Sequence, residues 1–413
     1  MLKYIKSKGL RASVLPTVLV AGTLLLLAVM GIFMLWDMHA GQAARYHWTK
    51  QAQMHVESGF VLYAADGGEA ERMLEEPVYR LYDDGGGSAD LLTERYFWGL
   101  YEVVAIGTAD GGASSVRMLG KAKPAHENPA LWVCDRRKAV SFSGTTALFG
   151  EAWIPARGVQ YSQMYSVAFK GRQLEPAQIR TSGEELPAID PATRNVAEAL
   201  WRLAEDTLSD GYLSAARSFR EPLLCARVSG GHLDGDARGR VVIKGDDLII
   251  GRECTLQDVL VVAASVRVES GFRGKVQIFA RDSVVLEDNV LLEYPSGIFL
   301  DGDTPDGCLT LGDACEVNGY VIVEETTRPK GRPKARYIQP PGARVRGLLR
   351  VDGVAQVEGA VTGSAWLRES YYFTPRGYYS DIFYNARFIG ADDFPYPVWH
   401  EGPYERMCVQ WLY

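Results

Sequence analysis

The chain has 413 residues, 47% of them hydrophobic and 23% charged, a globular composition with room for two domains and an anchor. A net charge of −7 offers no basic face and argues against nucleic-acid binding. The six cysteines (Cys134, Cys225, Cys254, Cys308, Cys315 and Cys408) include no Cys-x-x-Cys pair, which argues against a zinc or thioredoxin-type site.

Residues 1–11 are a basic leader carrying Lys3, Lys6, Lys8 and Arg11. Ala12 to Trp36 contains no charged side chain. At ~1.5 Å per residue a helix of that length covers roughly 37 Å, enough to cross a bilayer. The pattern predicts a transmembrane helix over 12–36 with the lipid bilayer as its partner, since a cleavable signal peptide has a shorter apolar region. Basic residues precede the span, whereas Asp37 follows it and the next Lys or Arg is Arg45. The positive-inside rule then predicts a single-pass protein of the cytoplasmic (inner) membrane, with its N-terminus in the cytoplasm and the bulk of the chain periplasmic or surface-facing. Trp48, Ala52, Val56, Phe60 and Tyr63 recur at helical spacing, so the helix is expected to continue through 37–65 until Asp66-Gly67-Gly68 stops it.

A short basic leader followed by one helix, apolar first and amphipathic later, resembles the type IV pilin and pseudopilin family. The segment "KSKGLRASVLPTVLVAGTLLLL" carries the resemblance. It implies cleavage after Gly9 or Ala12 and partners in pilus-like or secretion machinery. The family's Glu at the fifth position after the cut is replaced by Val14 or Thr17, depending on the cleavage site. The alternative is a plain single-pass anchor with a helical extension.

Residues 66–135 read as an α+β region with a hairpin. "RYFWGLYEVVAIGTADGGASSVRMLGK" is rich in strand formers and broken by Asp110-Gly111-Gly112, and Asp83–Ser88 is a loop. A helix is expected from about Pro191 to Leu208, capped by Asp190, with Val196, Ala199, Leu200, Leu203 and Ala204 on one face.

A six-residue period dominates the centre of the chain. Val242, Leu248, Cys254, Leu260, Val266, Phe272, Ile278, Val284 and Val290 are successive positions six apart. Two residues after each come Lys244, Ile250, Leu256, Val262, Val268, Gly274, Ala280, Leu286 and Leu292. Residues i and i+2 of a strand share a side, so each hexad gives a short strand with two inward side chains and then a bend. Three such strands close an 18-residue coil, and stacked coils share one core. Phe142, Leu148 and Ile154, and again Val345, Val351 and Val357, repeat the spacing. The fold class expected is therefore mainly β: a long N-terminal transmembrane helix, then an interrupted β-helix over 136–390. A small α+β excursion at about 160–235 interrupts it, and residues 391–413 form an aromatic C-terminal cap.

The repeat resembles the bactofilin, or polymer-forming, β-helix, and also the hexapeptide-repeat acyltransferases. The latter place Gly directly after the inward aliphatic to form a left-handed coil. Here the successors are Ile243, Ile249, Thr255, Val261, Arg267, Arg273, Phe279, Val285 and Leu291, which favours the right-handed, bactofilin-like form. The chain as a whole, including "LWVCDRRKAVSFSGTTALFGEAWIPARGV", resembles a family of single-pass envelope proteins of Gram-negative bacteria. That resemblance implies a location and no activity.

Few residue groups could carry chemistry. Asp301, Asp303 and Asp306 in "DGDTPDG" lack a twelfth-position Glu, which is Gly312, and read as a solvated turn. His232, Asp234 and Asp236 read as a linker, and Lys330, Arg332, Lys334 and Arg336 as a solvated basic loop. Cys254 falls on the apolar period as a small core residue, and Cys308 and Cys315 could pair in an oxidising compartment. The outward Arg267, Glu269, Arg273, Arg281 and Glu287 fall on different sides or coils, without the carboxylate pair that a glycosidase needs. No catalytic, cofactor-binding or metal residue is assigned and no cofactor is expected. The expected function is that of a non-enzymatic, membrane-anchored envelope structural protein, a minor pilin-like or pseudopilin-like component. Its alternatives are a carbohydrate-binding or carbohydrate-cleaving β-helix, with cell-surface glycan as partner, and a bactofilin-like scaffold that self-associates.

Overall fold

The computed structural model of the chain describes residues 14–65, 68–82, 89–122, 129–302, 307–325, 335–374, 377–391, 394–399 and 405–412. The basic leader, Asp66-Gly67, the Asp83–Ser88 tract, Asp303, Asp306, Lys330, Arg332 and Lys334 lie outside them. The protein is mainly β with one long N-terminal helix.

Helix α1 runs from Val14 to Ala64 without a break, its one proline, Pro16, falling in the first turn where no helical hydrogen bond is lost. The helix has two environments. Its first half projects away from the body, with Leu15 77% and Trp36 70% exposed. In its second half Ala52, His55, Val56, Phe60 and Tyr63 are buried, as the expected stripe requires, while Trp48 remains half exposed. A second helix, α2, spans Glu69–Glu75.

The seat of α1 is an antiparallel sheet. Strands β1 (Tyr79–Arg80), β2 (Asp90–Trp98), β3 (Tyr101–Thr108) and β4 (Ser114–Ala122) pair in order, with Leu91 opposite Thr108 and Gly107 opposite Ser114 across the expected hairpin. The fifth strand is Glu405–Trp411, which pairs with β4 through Arg406 and Lys121. The C-terminal segment, expected as a cap on the coil, therefore completes this sheet instead. Both faces of β3 are buried. Val104 and Ile106 pack with Val56, Phe60 and Tyr63 of α1, whereas Tyr101 and Val103 pack into a second core beneath the sheet. Gly59 lets helix and sheet approach, since a Cβ there would lie 2.6 Å from Leu91.

Most of the remaining strands are parallel and form one closed assembly, while Val140–Ser143, Val159–Ser162 and Ile382–Tyr384 pair in a separate three-stranded parallel sheet. One ladder of partners crosses the closed assembly: Ile243, Val261, Ile278, Ile298, Val321, Leu349, Ala365, Leu131, Ala152 and Ile179. Its order is not chain order, because residues 131–181 stack beyond Ala365. At the other end Thr207 pairs with Ala226, which pairs with Ile243. Strands of the assembly thus resume at Thr207–Ser209, well before 235, and the excursion is a strap over 182–206 that returns the chain from one end to the other. Within the strap lies α3, Pro191–Arg202, whose Asp190 accepts a hydrogen bond from the Ala192 N–H as the expected cap; Ala197 and Leu200 are its buried apolar residues, and it ends before Leu208.

The six-residue period holds except at Val242 and Leu260. Leu248, Cys254, Val266, Phe272, Ile278, Val284 and Val290 belong to the interior core. Val242 and Leu260 point the other way, into the second core under the antiparallel sheet, and their neighbours Ile243 and Val261 take the interior positions. Ahead of Leu260 the phase changes at Asp258, whose φ of 61° lies in the left-handed region and accompanies a register shift between Gln257 and Val259; a second shift, between Ala263 and Ser265, precedes the return of Val266 to the interior.

Candidate functional site

The junction between the anchor helix and the body is built around a buried carboxylate. Glu102 on β3 is 2% exposed. Tyr63 of α1 donates its hydroxyl to Glu102 Oε1 at 2.7 Å, Arg406 of the C-terminal strand donates Nε to Oε2 at 3.0 Å, and Arg95 of β2 reaches Oε1 at 3.5 Å. Burial, reinforced by the Glu102 charge, raises the Tyr63 phenol far above its usual value and keeps it a neutral donor. Beside this network the Arg117 guanidinium lies between the rings of Phe60 and Trp411, at 4.0 and 3.9 Å from their centroids, and pairs with Glu57. Helix, sheet and C-terminal strand are thereby pinned at one place. Sequence reasoning found the helix stripe but not Glu102, because a lone acidic residue in a strand gives no sign of the arginines that non-local pairing brings to it.

A second charged cluster holds the strap. Glu324, 3% exposed, pairs with Arg350 and with Arg194 of α3 at 2.6 Å, and Arg350 also donates to the Pro187 carbonyl at 3.2 Å. Lys244 donates to the carbonyls of Trp201 and Leu203 at 3.0 and 2.9 Å. The Arg281 guanidinium covers Trp201 at 4.1 Å. These contacts tie strap to assembly, and a small cavity of ≈ 80 Å³ lies between them.

The other sequence candidates occupy surface turns. His232 meets Asp234 at 3.2 Å and Glu269 at 3.3 Å, and its hydrogen bond to Glu269, with the Asp234 charge, raises its pKa. Among the described residues no group of His, Cys, Asp and Glu has the arrangement of a metal site. Glu269 and Glu287 also accept the backbone N–H groups of Arg252 and Ser270, so both are fixed as turn caps. Arg267 pairs with Glu287 at 3.5 Å. All six cysteines are free: the Cys315 thiol donates to the Glu287 carbonyl and Cys308 lies against Thr310, so the two are not bridged. Cys254 packs in the interior core, and burial pushes its thiol up to about 11.

Two surface features remain. A groove of ≈ 540 Å³ carries Arg344, Arg346 and Arg387 together with Glu316 and Glu358, and Arg346 and Glu316 already form a pair at 3.5 Å. A cleft of ≈ 520 Å³ carries Arg137, Lys138, Arg157 and Gln160 with Asp381. No protein family model, curated protein or solved structure matches the chain.

Proposed function

We propose that this protein is a non-enzymatic structural component of the cell envelope. In this reading residues 12–36 anchor it in the cytoplasmic membrane, and it acts as a minor pilin-like or pseudopilin-like subunit. The observation that carries the reading is the single helix Val14–Ala64, whose exposed apolar half continues without interruption into a half seated on an antiparallel sheet. A helix of this kind transmits the position of the lipid-facing segment rigidly to the body, which is the mechanical requirement of a subunit that packs through its anchor. The body, on this reading, is a right-handed β-helix. Support for the β-helix comes from the parallel ladder from Ile243 to Ile179 and from the hexad residues gathered in one core. The absence of glycine after the inward aliphatics supports its hand.

The test is to express the full chain in membranes with and without a prepilin peptidase and to sequence its N-terminus. Removal of residues through Gly9 or Ala12, with co-purification of pilus-type or secretion machinery, is the expected result. An intact N-terminus with no such partners overturns the pilin-like role and leaves a plain anchored protein. Protease treatment of intact cells and spheroplasts checks the orientation: the body is expected to become accessible in spheroplasts or on intact cells. Protection in both defeats the assignment of the bulk outside the cytoplasm.

A further inference from the structure

One part of the surface combines two features that the structural reading does not use. After Ser370 the chain leaves the parallel assembly as an antiparallel hairpin, with Tyr371 opposite Ser380, Tyr372 opposite Tyr379 and Phe373 opposite Tyr378. Alternation along the strands puts Tyr371, Phe373, Tyr378 and Ser380 on one face. The rings of that face form one cluster. Tyr371 and Phe373 stack with centroids 5.9 Å apart and planes 15° from parallel, and Tyr378 is tilted against both, at 5.7 Å from Tyr371 and 6.5 Å from Phe373. Phe373 is 40% exposed and Tyr378 69%. The opposite face is occupied, since Tyr372 packs against Tyr384 and Tyr165.

The cationic cleft opens at the root of this hairpin and shares Ser380 with it. Arg137, Lys138 and Arg157 line it with Asp381, whose carboxylate is already shared between Lys138 at 3.5 Å and Arg136 at 3.4 Å. Arg137 pairs with Glu184 at 3.2 Å with both side chains largely exposed, so its guanidinium remains open to a second anion. Gln160 adds an amide that can both donate and accept.

We propose that the hairpin face and the cleft form one binding site for an acidic glycan chain. A pyranose ring offers an apolar face of C–H bonds that stacks on Tyr or Phe, and the exposed rings of Phe373 and Tyr378 offer that contact. The carboxylate or sulfate of a neighbouring sugar then falls to Arg137, Lys138 and Arg157, and its hydroxyls to Gln160 and Ser380. The described end of the hairpin carries no aliphatic side chain, which favours a sugar over a lipid surface, and an acidic peptide would leave the ring platform unused. The proposal is independent of whether the leader is cleaved.

The experiment uses the full chain in nanodiscs of neutral lipid, with polygalacturonate, alginate and heparin as acidic glycans, dextran as a neutral one and polyglutamate as a sugar-free polyanion. Binding to at least one acidic glycan and none to dextran is expected. Phe373→Ala/Tyr378→Ala and Arg137→Gln/Arg157→Gln should each weaken that binding by about fivefold to tenfold. Polyglutamate should bind more weakly and should not respond to the aromatic variant. The single changes Tyr378→Ser and Arg157→Gln serve where a double variant loses its thermal transition. Failure of all three acidic glycans to bind, an affinity unchanged by either set of substitutions, or polyglutamate bound as tightly as the glycan overturns the proposal.

Discussion

Glu102 brings together residues far apart in the chain, and its burial fixes what a substitution would do. With Tyr63, Arg95 and Arg406 around it, the carboxylate is compensated on both oxygens. Glu102→Gln leaves Arg406 facing a neutral amide in a nearly closed site, and should cost about 3 kcal/mol in denaturant unfolding of the detergent-solubilised chain. Tyr63→Phe removes one hydrogen bond and should cost ~1 kcal/mol. A loss for Glu102→Gln no larger than that for Tyr63→Phe would show the arginines to be solvated. His232 provides the contrast at the surface. Its pKa is raised by Glu269 and Asp234, so its pairs stabilise the fold at pH values below the ordinary value of ~6.5. That contribution is lost as pH rises through the raised folded value. With 43% of the side chain exposed it amounts to less than ~1 kcal/mol. Titration by NMR should place the His232 midpoint above ~6.5, and Glu269→Gln should bring it down. A midpoint at or below the ordinary value would contradict the observed pairing.

At the scale of the element, the bends of the parallel strands are as constrained as their side chains. Gly319, Gly347 and Gly363 are consecutive partners, with φ of 138°, 125° and 131°. A Cβ on Gly347 would lie 2.0 Å from the Gly319 carbonyl oxygen, which is backbone and cannot swing aside. Gly347→Ala should therefore destabilise by roughly 3 kcal/mol or more, combining a forbidden backbone region with a direct clash. Gly111→Ala, in an open turn with nothing near its Cβ, provides the comparison and should cost less. Equal melting temperatures for the two would contradict the packing of the bend. What the sequence could convey about these elements depended on their surroundings. The stripe on α1 was readable because one side of that helix faces solvent and the other the sheet. The phase of the hexads at Val242 and Leu260 was not, because the strand is covered on both sides. Val241, Val242 and Ile243 are all fully buried, so apolar character no longer distinguishes inside from outside.

At the scale of the whole molecule, spacing in the chain gives little guide to which segments meet. The hexads announce strands that need neighbours, but nothing in "ALWV" specifies that Leu131 lies beside Ala365. The strap over 182–206 is the consequence of that order, since the chain must travel the length of the assembly before it restarts at Thr207. The same non-local logic ties the anchor helix to the C-terminal strand. Glu405–Trp411 covers the edge of β4, supplies Arg406 to Glu102 and places Trp411 against Arg117, so the seat of α1 is finished only when the last strand docks. Deleting residues 405–413 should therefore loosen a region at the opposite end of the sequence. Hydrogen exchange of the deleted chain is expected to rise through residues 52–64 and across β3 and β4. The strands from Thr255 to Glu324, which hold their own interior core, should keep their protection. Exchange that rises equally in both regions would mean that sheet and parallel assembly unfold as one cooperative unit. Exchange unchanged at Tyr63 would mean that the helix is held by its apolar stripe alone and that the buried carboxylate adds nothing to its seat.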